Sequence, residues 1–104
     1  MATGSVGRRY AKALLSIGVE TQSFDALGKE LDRVAEACHG SPELMRTLAN
    51  PVFPLDKRRL ILEELARRLA LSKTLRAFVL LLLDKGRFAF ITAIAREHRA
   101  LVDE

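Results

Sequence analysis

The chain has 104 residues, of which 49% are hydrophobic and 29% charged, and it carries a formal net charge of +4. This length fits a single domain, and the apolar content is typical of a globular chain rather than a disordered one. A membrane-spanning helix needs about 20 mainly apolar residues, whereas the longest run of large apolar side chains extends only from Phe78 to Leu83. The sequence therefore predicts no spanning segment.

The amino-terminal region has basic residues followed by an apolar patch, which superficially resembles a secretory signal. Lys12 interrupts that patch, Glu20 closes it, and no small-residue cleavage pattern follows, so we reject a signal. The single cysteine, Cys38, cannot form an internal disulfide and suits a reducing compartment. These features predict a cytosolic chain.

Apolar residues recur at helical spacing along almost the whole chain, and no segment alternates with a period of two. The spacing predicts a first helix from about Ser5 to Glu20 and a second from Phe24 to near Gly40. Gly18 lies inside the first helix, where glycine costs about 1 kcal/mol relative to alanine. We therefore expect a weak point there, with a bend or an early end.

Capping residues and prolines predict where the next helices begin and end. Ser41 precedes Pro42 and should cap a short third helix, which the Asn-Pro-Val-Phe-Pro segment interrupts. A fourth helix is expected from Leu55 to about Ala70. Ser72 should cap a fifth, which ends at Gly86 because glycine readily adopts the left-handed conformation.

A sixth helix should complete a compact all-α bundle of six helices, forming one domain over residues 1–104. Its apolar stripe comprises Phe88, Ile91, Ile94, Ala95, His98 and Val102. The expected inward residues of the fourth helix are Leu60, Ile61, Leu65 and Leu69.

The first and fifth helices have more apolar residues than one core face requires. In the fifth helix one arc contains Leu75, Phe78, Val79, Leu82 and Leu83, while Ala77 and Leu81 lie outside it beside Thr74 and Asp84. The first helix can pack inward through Ala11, Leu14 and Leu15, which leaves Val6, Tyr10, Ala13 and Ile17. Either both helices are completely covered within the bundle, or their spare edges form a groove for a partner's amphipathic helix. Periodicity alone leaves both interpretations open.

No pattern of residues indicates catalysis, cofactor binding or a metal site. His39 and His98 lack partners at metal-ligand spacing, and Cys38 lies on an apolar stripe. Glu63 and Glu64 stand three and four residues from Arg67 and Arg68, a spacing that favours surface ion pairs over acid-base chemistry. No phosphate-binding glycine loop is present. The sequence thus predicts a protein that is not an enzyme, without cofactors.

The isoelectric point near 9.7 and three arginine pairs leave an all-α RNA-binding module as an alternative. The pairs are mixed with acidic residues, which is more typical of a solvated surface. The chain also has few aromatic side chains on which bases could stack: five Phe, one Tyr and no Trp. The pairs are Arg8/Arg9, Arg58/Arg59 and Arg67/Arg68.

Three segments, taken in order and spacing, resemble the amino-terminal domain of the delta subunit of bacterial F-type ATP synthase, the counterpart of the mitochondrial oligomycin-sensitivity-conferring protein. They are RRYAKALLSIGVE, LANPVFPLDKRRLILEEL and LLLLDKGRFAFITAIAREHRALVDE. The resemblance covers essentially the whole chain. It implies a six-helix stator domain with no catalytic residues, which grips the amino-terminal helix of an alpha subunit between its first and fifth helices.

On this basis the expected groove residues are Val6, Tyr10, Ala13, Leu14, Ile17, Thr74, Ala77, Phe78, Leu81 and Asp84. The resemblance also implies a peripheral location in the ATP synthase complex, on the cytoplasmic face of the bacterial plasma membrane. A second region of the family, which contacts the b subunits of the stalk, is absent from this sequence, so we expect an isolated domain. We expect it to be a monomer in isolation that binds no nucleic acid and does not insert into the membrane.

Overall fold

A computed structural model describes the backbone of residues 2–104 and the side chains of residues 6–104. Six α-helices form a bundle with a radius of gyration of 12.8 Å, and no strand occurs among the described residues. The predicted all-α fold is confirmed. The helices are α1 Ala2–Glu20, α2 Phe24–His39, α3 Pro42–Ala49, α4 Leu55–Arg68, α5 Lys73–Asp84 and α6 Ile91–Val102, with a 3-10 turn at Phe88–Phe90.

The predicted helix boundaries are confirmed where a local capping interaction sets them. The hydroxyl oxygen of Ser41 accepts a hydrogen bond from the Leu44 amide at 3.4 Å, and that of Ser72 accepts from the Leu75 amide at 3.3 Å. Gly86 follows α5 with a φ of +70°, the left-handed conformation that ends a helix at little cost for glycine. The short α3 ends before the Asn-Pro turn, as expected.

One expectation for α4 is wrong. The helix begins at Leu55 and ends at Arg68, close to the expected Ala70, which adopts a left-handed φ of +53°. Leu60 was expected to face inward, but its side chain is 70% exposed, and Leu62 and Ala66 are the buried residues. Positions two apart in a helix point to nearly opposite sides, so a core contact at Leu62 turns Leu60 outward. The other residues expected inward are half-buried: Ile61, Leu65 and Leu69.

The expectation of an early end at Gly18 is also wrong, since α1 continues to Glu20. A Cβ at Gly18 would lie only 2.7 Å from the Cα of Phe24, the first residue of α2. Glycine is therefore required because the start of α2 approaches the α1 backbone closely. The sequence pattern marked the right residue, but the cause is a tertiary contact.

The helices α1, α2 and α6 all pack against one another, and the contact between α1 and α6 is the most extensive. Phe24, at the start of α2, shares a small cavity with Val102 at the end of α6. His39, at the end of α2, shares another with Thr92 near the start of α6. The helices α2 and α6 are therefore antiparallel. Since α1 and α2 form a hairpin, α1 runs in the same direction as α6.

Contacts at both ends of α5 indicate its direction relative to α1. At its start, the Ser72 amide donates a 2.6 Å hydrogen bond to Glu30, in the middle of α2. At its end, Gly86 leads into the 3-10 turn, which is followed by the start of α6. There the Cβ of Ala93 lies 3.3 Å from the point that a Cβ on Gly7 of α1 would occupy. The end of α5 thus lies at the same end of the bundle as the start of α1.

The core is one cluster to which every helix contributes, and it contains most of the predicted inward residues. All five residues of the predicted core arc of α5 are buried. Five of the six residues in the predicted apolar stripe of the sixth helix are also buried, and the remaining one, Val102, is half-buried. The largest completely buried side chains are Phe88, Leu14, Leu31, Leu48, Leu62, Leu75, Leu82, Leu83, Ile91 and Ile94.

His98 is the one buried histidine in this core, between α6 and α2. Its Nε2 atom has no hydrogen-bond partner among the described residues, and a Cβ at Gly28 would lie 3.1 Å from its Cε1. Burial lowers the pKa of His98 from its ordinary 6.5, while the negative charge of Asp32 acts in the opposite direction as the smaller influence. The native state therefore favours the neutral imidazole.

We expect the free energy of unfolding to fall as the pH is lowered through about 6.5, because the unfolded chain then binds a proton that the folded chain resists. Above that pH His98 is neutral in both the folded and the unfolded chain, so its protonation no longer lowers the free energy of unfolding. Urea unfolding between about pH 7.5 and about pH 5.5 measures the slope. His98→Gln, which has no titrating ring, should show a flatter dependence than the native chain. Identical slopes would contradict this assignment.

Candidate helix-binding surface between α1 and α5

The side of α1 that faces away from the bundle is only partly covered. Ala11 and Leu14 are completely buried, as the predicted inward face requires. Ile17, in contrast, is 39% exposed, and the remaining predicted edge residues are half-buried or exposed: Val6 and Tyr10 half-buried, Ala13 exposed. The sequence left two interpretations open, and this partial exposure favours a spare apolar edge on α1 over a helix that is covered on every side.

The corresponding edge of α5 is also left open. Leu81 is 44% exposed although the residues on either side of it in sequence, Leu80 and Leu82, are half-buried and buried. Ala77, one turn earlier on the same face, is exposed as well. The helix therefore buries one arc in the core and presents a second, smaller apolar strip to solvent.

An aromatic contact joins α1 to α5 beneath these edges. The rings of Tyr10 in α1 and Phe78 in α5 are 6.5 Å apart between centroids and meet edge to face at 68°. The guanidinium of Arg9 lies 5.6 Å from the centroid of the Tyr10 ring. The Tyr10 ring is thus held between a core phenylalanine and a surface cation.

Three of the expected groove residues lie elsewhere. Leu14 is completely buried and Phe78 nearly so, so both belong to the core and support the surface from beneath. Leu14 stands three residues after Ala11, on the same core-facing side of α1. Asp84 forms an ion pair with Arg59 of α4, which directs its carboxylate away from α1.

We call the remaining residues the α1–α5 surface, and they share partial exposure on the two helices that the contact between Tyr10 and Phe78 joins. They are Val6, Tyr10, Ala13, Ile17, Thr74, Ala77 and Leu81. Apolar side chains separated by small alanines allow another helix to approach closely and pack between the two. The arrangement is suited to helix binding.

A surface depression of about 600 Å³ lies elsewhere, between the end of α4 and the start of α5. Its charged residues are neutralised within the domain: Glu64 pairs with Arg67 and Arg68, and Glu63 with Arg76 of α5. The predicted ion pairs of Glu64 are therefore confirmed, while the α5 partner of Glu63 was not foreseen. This depression offers no unpaired group for chemistry or for a charged ligand.

The ionisable groups considered for chemistry have pKa values that suit structural roles. Hydrogen bonds from Arg67 and Arg68 lower the pKa of Glu64 to about 2, so it is ionised throughout the neutral range. Burial raises the pKa of Cys38 to about 11, which keeps the thiol protonated. Over the described residues, no three His, Cys, Asp or Glu side chains gather as a metal would require.

The arginine pairs give the RNA-binding alternative no support. Arg8 lies 3.5 Å from Glu97, Arg59 pairs with Asp84, and Arg58 donates a 2.7 Å hydrogen bond to the Phe53 carbonyl. Arg67 and Arg68 share Glu64. Five of these six arginines therefore contact groups within the domain instead of forming a free basic stripe, which a nucleic-acid backbone would need.

Within the described part of the chain, no helix is both long and apolar enough to cross a membrane. The fold defines a class of small all-α domain in which two helices, α1 and α5, leave apolar edges exposed.

Comparison with known proteins identifies the family. A family model described as "ATP synthase delta (OSCP) subunit" matches residues 6–104, and the chain belongs to this family. Relatives named ATP synthase subunit delta include those of Geobacter metallireducens, 36% identical, an Anaeromyxobacter species, 40% identical, and Heliobacterium modesticaldum, 41% identical. Each match covers 100% of this chain but only 56% to 58% of the relative. The predicted family is confirmed.

Proposed function

We propose that this domain is a stator module of an F-type ATP synthase, in which the α1–α5 surface binds the amino-terminal helix of an alpha subunit. One observation carries the proposal: a chain of the delta family leaves two apolar edges exposed, on two helices that are joined by the contact of Tyr10 with the core residue Phe78. The role is mechanical rather than enzymatic. The peripheral stalk holds the catalytic head still while the rotor turns, so that proton-driven torque produces ATP.

This role requires a stable contact with the head, and an apolar strip can provide it. Burying apolar surface stabilises a complex by about 25 cal/mol per Å², and the exposed parts of Ile17 and Leu81 are available for this burial. Small residues at Ala13 and Ala77 leave room for the backbone of the partner helix. In this proposal the domain lies peripherally at the cytoplasmic face of the bacterial plasma membrane, and contact with the b subunits belongs to the region that its longer relatives possess.

A charge placed on the α1–α5 surface should abolish this binding. We expect Leu81→Asp to weaken binding of a synthetic peptide from the alpha amino terminus by at least about a hundredfold, because the complex would bury an unpaired carboxylate. Isothermal titration calorimetry measures the affinity, and circular dichroism checks that the domain stays folded.

Leu60→Asp provides the matched control, since Leu60 is a more exposed leucine on α4, outside the α1–α5 surface. The same change of residue type there should leave the affinity within about twofold. If Leu81→Asp binds the peptide as tightly as Leu60→Asp does, the proposed surface is wrong.

A further inference from the structure

The α1–α5 surface is bordered by two exposed cations that make no ion pair among the described residues. Arg9 precedes Ala13 by one turn of α1, and Lys85 follows Leu81 by one turn at the end of α5. The neighbouring carboxylate, Asp84, is neutralised by its ion pair with Arg59. Arg9 and Lys85 therefore remain available to a bound partner.

Both cations lie at the same end of the surface. Lys85 immediately follows α5, whose end lies beside the start of α1, and Arg9 belongs to the first half of α1. At the opposite end, Glu20 closes α1 and Lys73 begins α5, so that one acid offsets one base. The surface thus has one basic end and one electrically balanced end.

This asymmetry matters because apolar contacts by themselves do not fix the direction of a bound helix. An apolar stripe presents similar side chains when the helix is turned end for end, whereas charges at one end distinguish the two directions. Complementary charges also raise the association rate, because they steer the partner before contact. Two cations at one end of an apolar strip therefore select a helix with carboxylates at one end.

We propose that the helix bound on the α1–α5 surface carries an excess of carboxylates at one end, and that this end lies over Arg9 and Lys85, which fixes its direction. This inference rests on the proposed function, because the occupant is the amino-terminal helix of an alpha subunit. It adds the chemistry of that helix and its orientation. Tyr10, held against the Arg9 guanidinium, lies at the boundary between the apolar strip and the basic end.

Reversing the two charges tests the inference. We expect Arg9→Glu/Lys85→Glu to bind the synthetic alpha amino-terminal peptide about tenfold more weakly at low salt, with the difference shrinking as salt screens the charges. Arg33→Glu/Arg96→Glu is the matched control, because both residues are exposed, lie on α2 and α6, and make no ion pair among the described residues. Equal affinities of the two double variants would overturn the inference.

Direction is measured with a nitroxide label attached to either end of the same peptide. A label at the carboxylate-rich end should broaden the amide signals of Arg9 and Lys85, and a label at the other end those of Ile17 and Thr74. The reverse pattern, or a peptide with no excess of carboxylates at either end, would overturn the inference. If the native domain does not bind the peptide, the proposed function itself fails; if Leu81→Asp weakens binding but the charge reversal does not, only the inference fails.

Discussion

Replacing Phe88 by alanine is expected to lower the free energy of unfolding by about 3 to 5 kcal/mol, the usual cost of truncating a completely buried phenylalanine. Phe88 is 1% exposed and is among the largest fully buried side chains. It lies in the 3-10 turn that packs against α1, α3, α5 and α6. The cavity it leaves would therefore remove contacts from several helices at once.

Urea unfolding followed by circular dichroism measures this loss, and Leu60→Ala serves as the control. The substitution at Leu60 also removes a large apolar side chain. Because that side chain is already 70% exposed, little buried apolar contact is lost. We expect the control to change stability by less than about 0.5 kcal/mol. Similar losses in the two variants would mean that Phe88 does not occupy the centre of the core.

Replacing Gly18 by alanine is expected to destabilise the domain by about 2 kcal/mol, although two effects oppose each other. Alanine favours a helix over glycine by about 1 kcal/mol. Against this, the new Cβ would lie 2.7 Å from the Cα and 2.9 Å from the Cβ of Phe24, so backbone must move. Overpacking of this kind typically costs about 1 to 3 kcal/mol, and strain against backbone lies toward the upper end.

Gly40→Ala is the control, because it adds the same methyl group without the close contact to backbone. Gly40 follows α2 with an ordinary right-handed φ of −76°, and a Cβ there would meet its nearest neighbour, the Glu36 carbonyl oxygen, at 3.4 Å. We expect this control to stay within about 0.5 kcal/mol of the native chain. A Gly18→Ala variant as stable as Gly40→Ala would contradict the close approach of α1 and α2.

The sequence was most informative where local interactions decide the structure. The hydroxyl caps at Ser41 and Ser72 and the left-handed Gly86 depend on residues within a few positions, and all three were predicted. Periodicity also separated the buried arc of α5 from the exposed Ala77 and Leu81. This worked because α5 contacts the core along a single continuous face.

The features that could not be predicted depend on which helices become neighbours. Leu60 fits an apolar pattern on α4, yet the packing of α4 against α5 buries Leu62 instead. The close contact at Gly18 likewise depends on the angle at which α2 leaves the α1 turn. Helical spacing gives the face of each helix but not the partner that covers it.

In the candidate site, too, local spacing predicted some features and the packing of the helices decided the others. Residues of the spare edges were found from spacing, but the contact between Tyr10 and Phe78, the pairing of Asp84 with Arg59, and the direction of α5 relative to α1 required the structure. Spacing placed Leu14 on the inward face, whereas the family resemblance implied a place in the groove, and the structure assigns it to the core. The free cations at one end of the surface follow from this tertiary arrangement.

The most direct test of the proposed function is to titrate the alpha amino-terminal peptide into the isotopically labelled domain while recording backbone amide shifts. We expect the large, saturable shifts to be confined to α1 and α5 and centred on Tyr10, Ala13, Ile17, Ala77 and Leu81, with induction of helix in the peptide. Shifts centred on α4 around Leu60, or no saturable shifts at all, would contradict it.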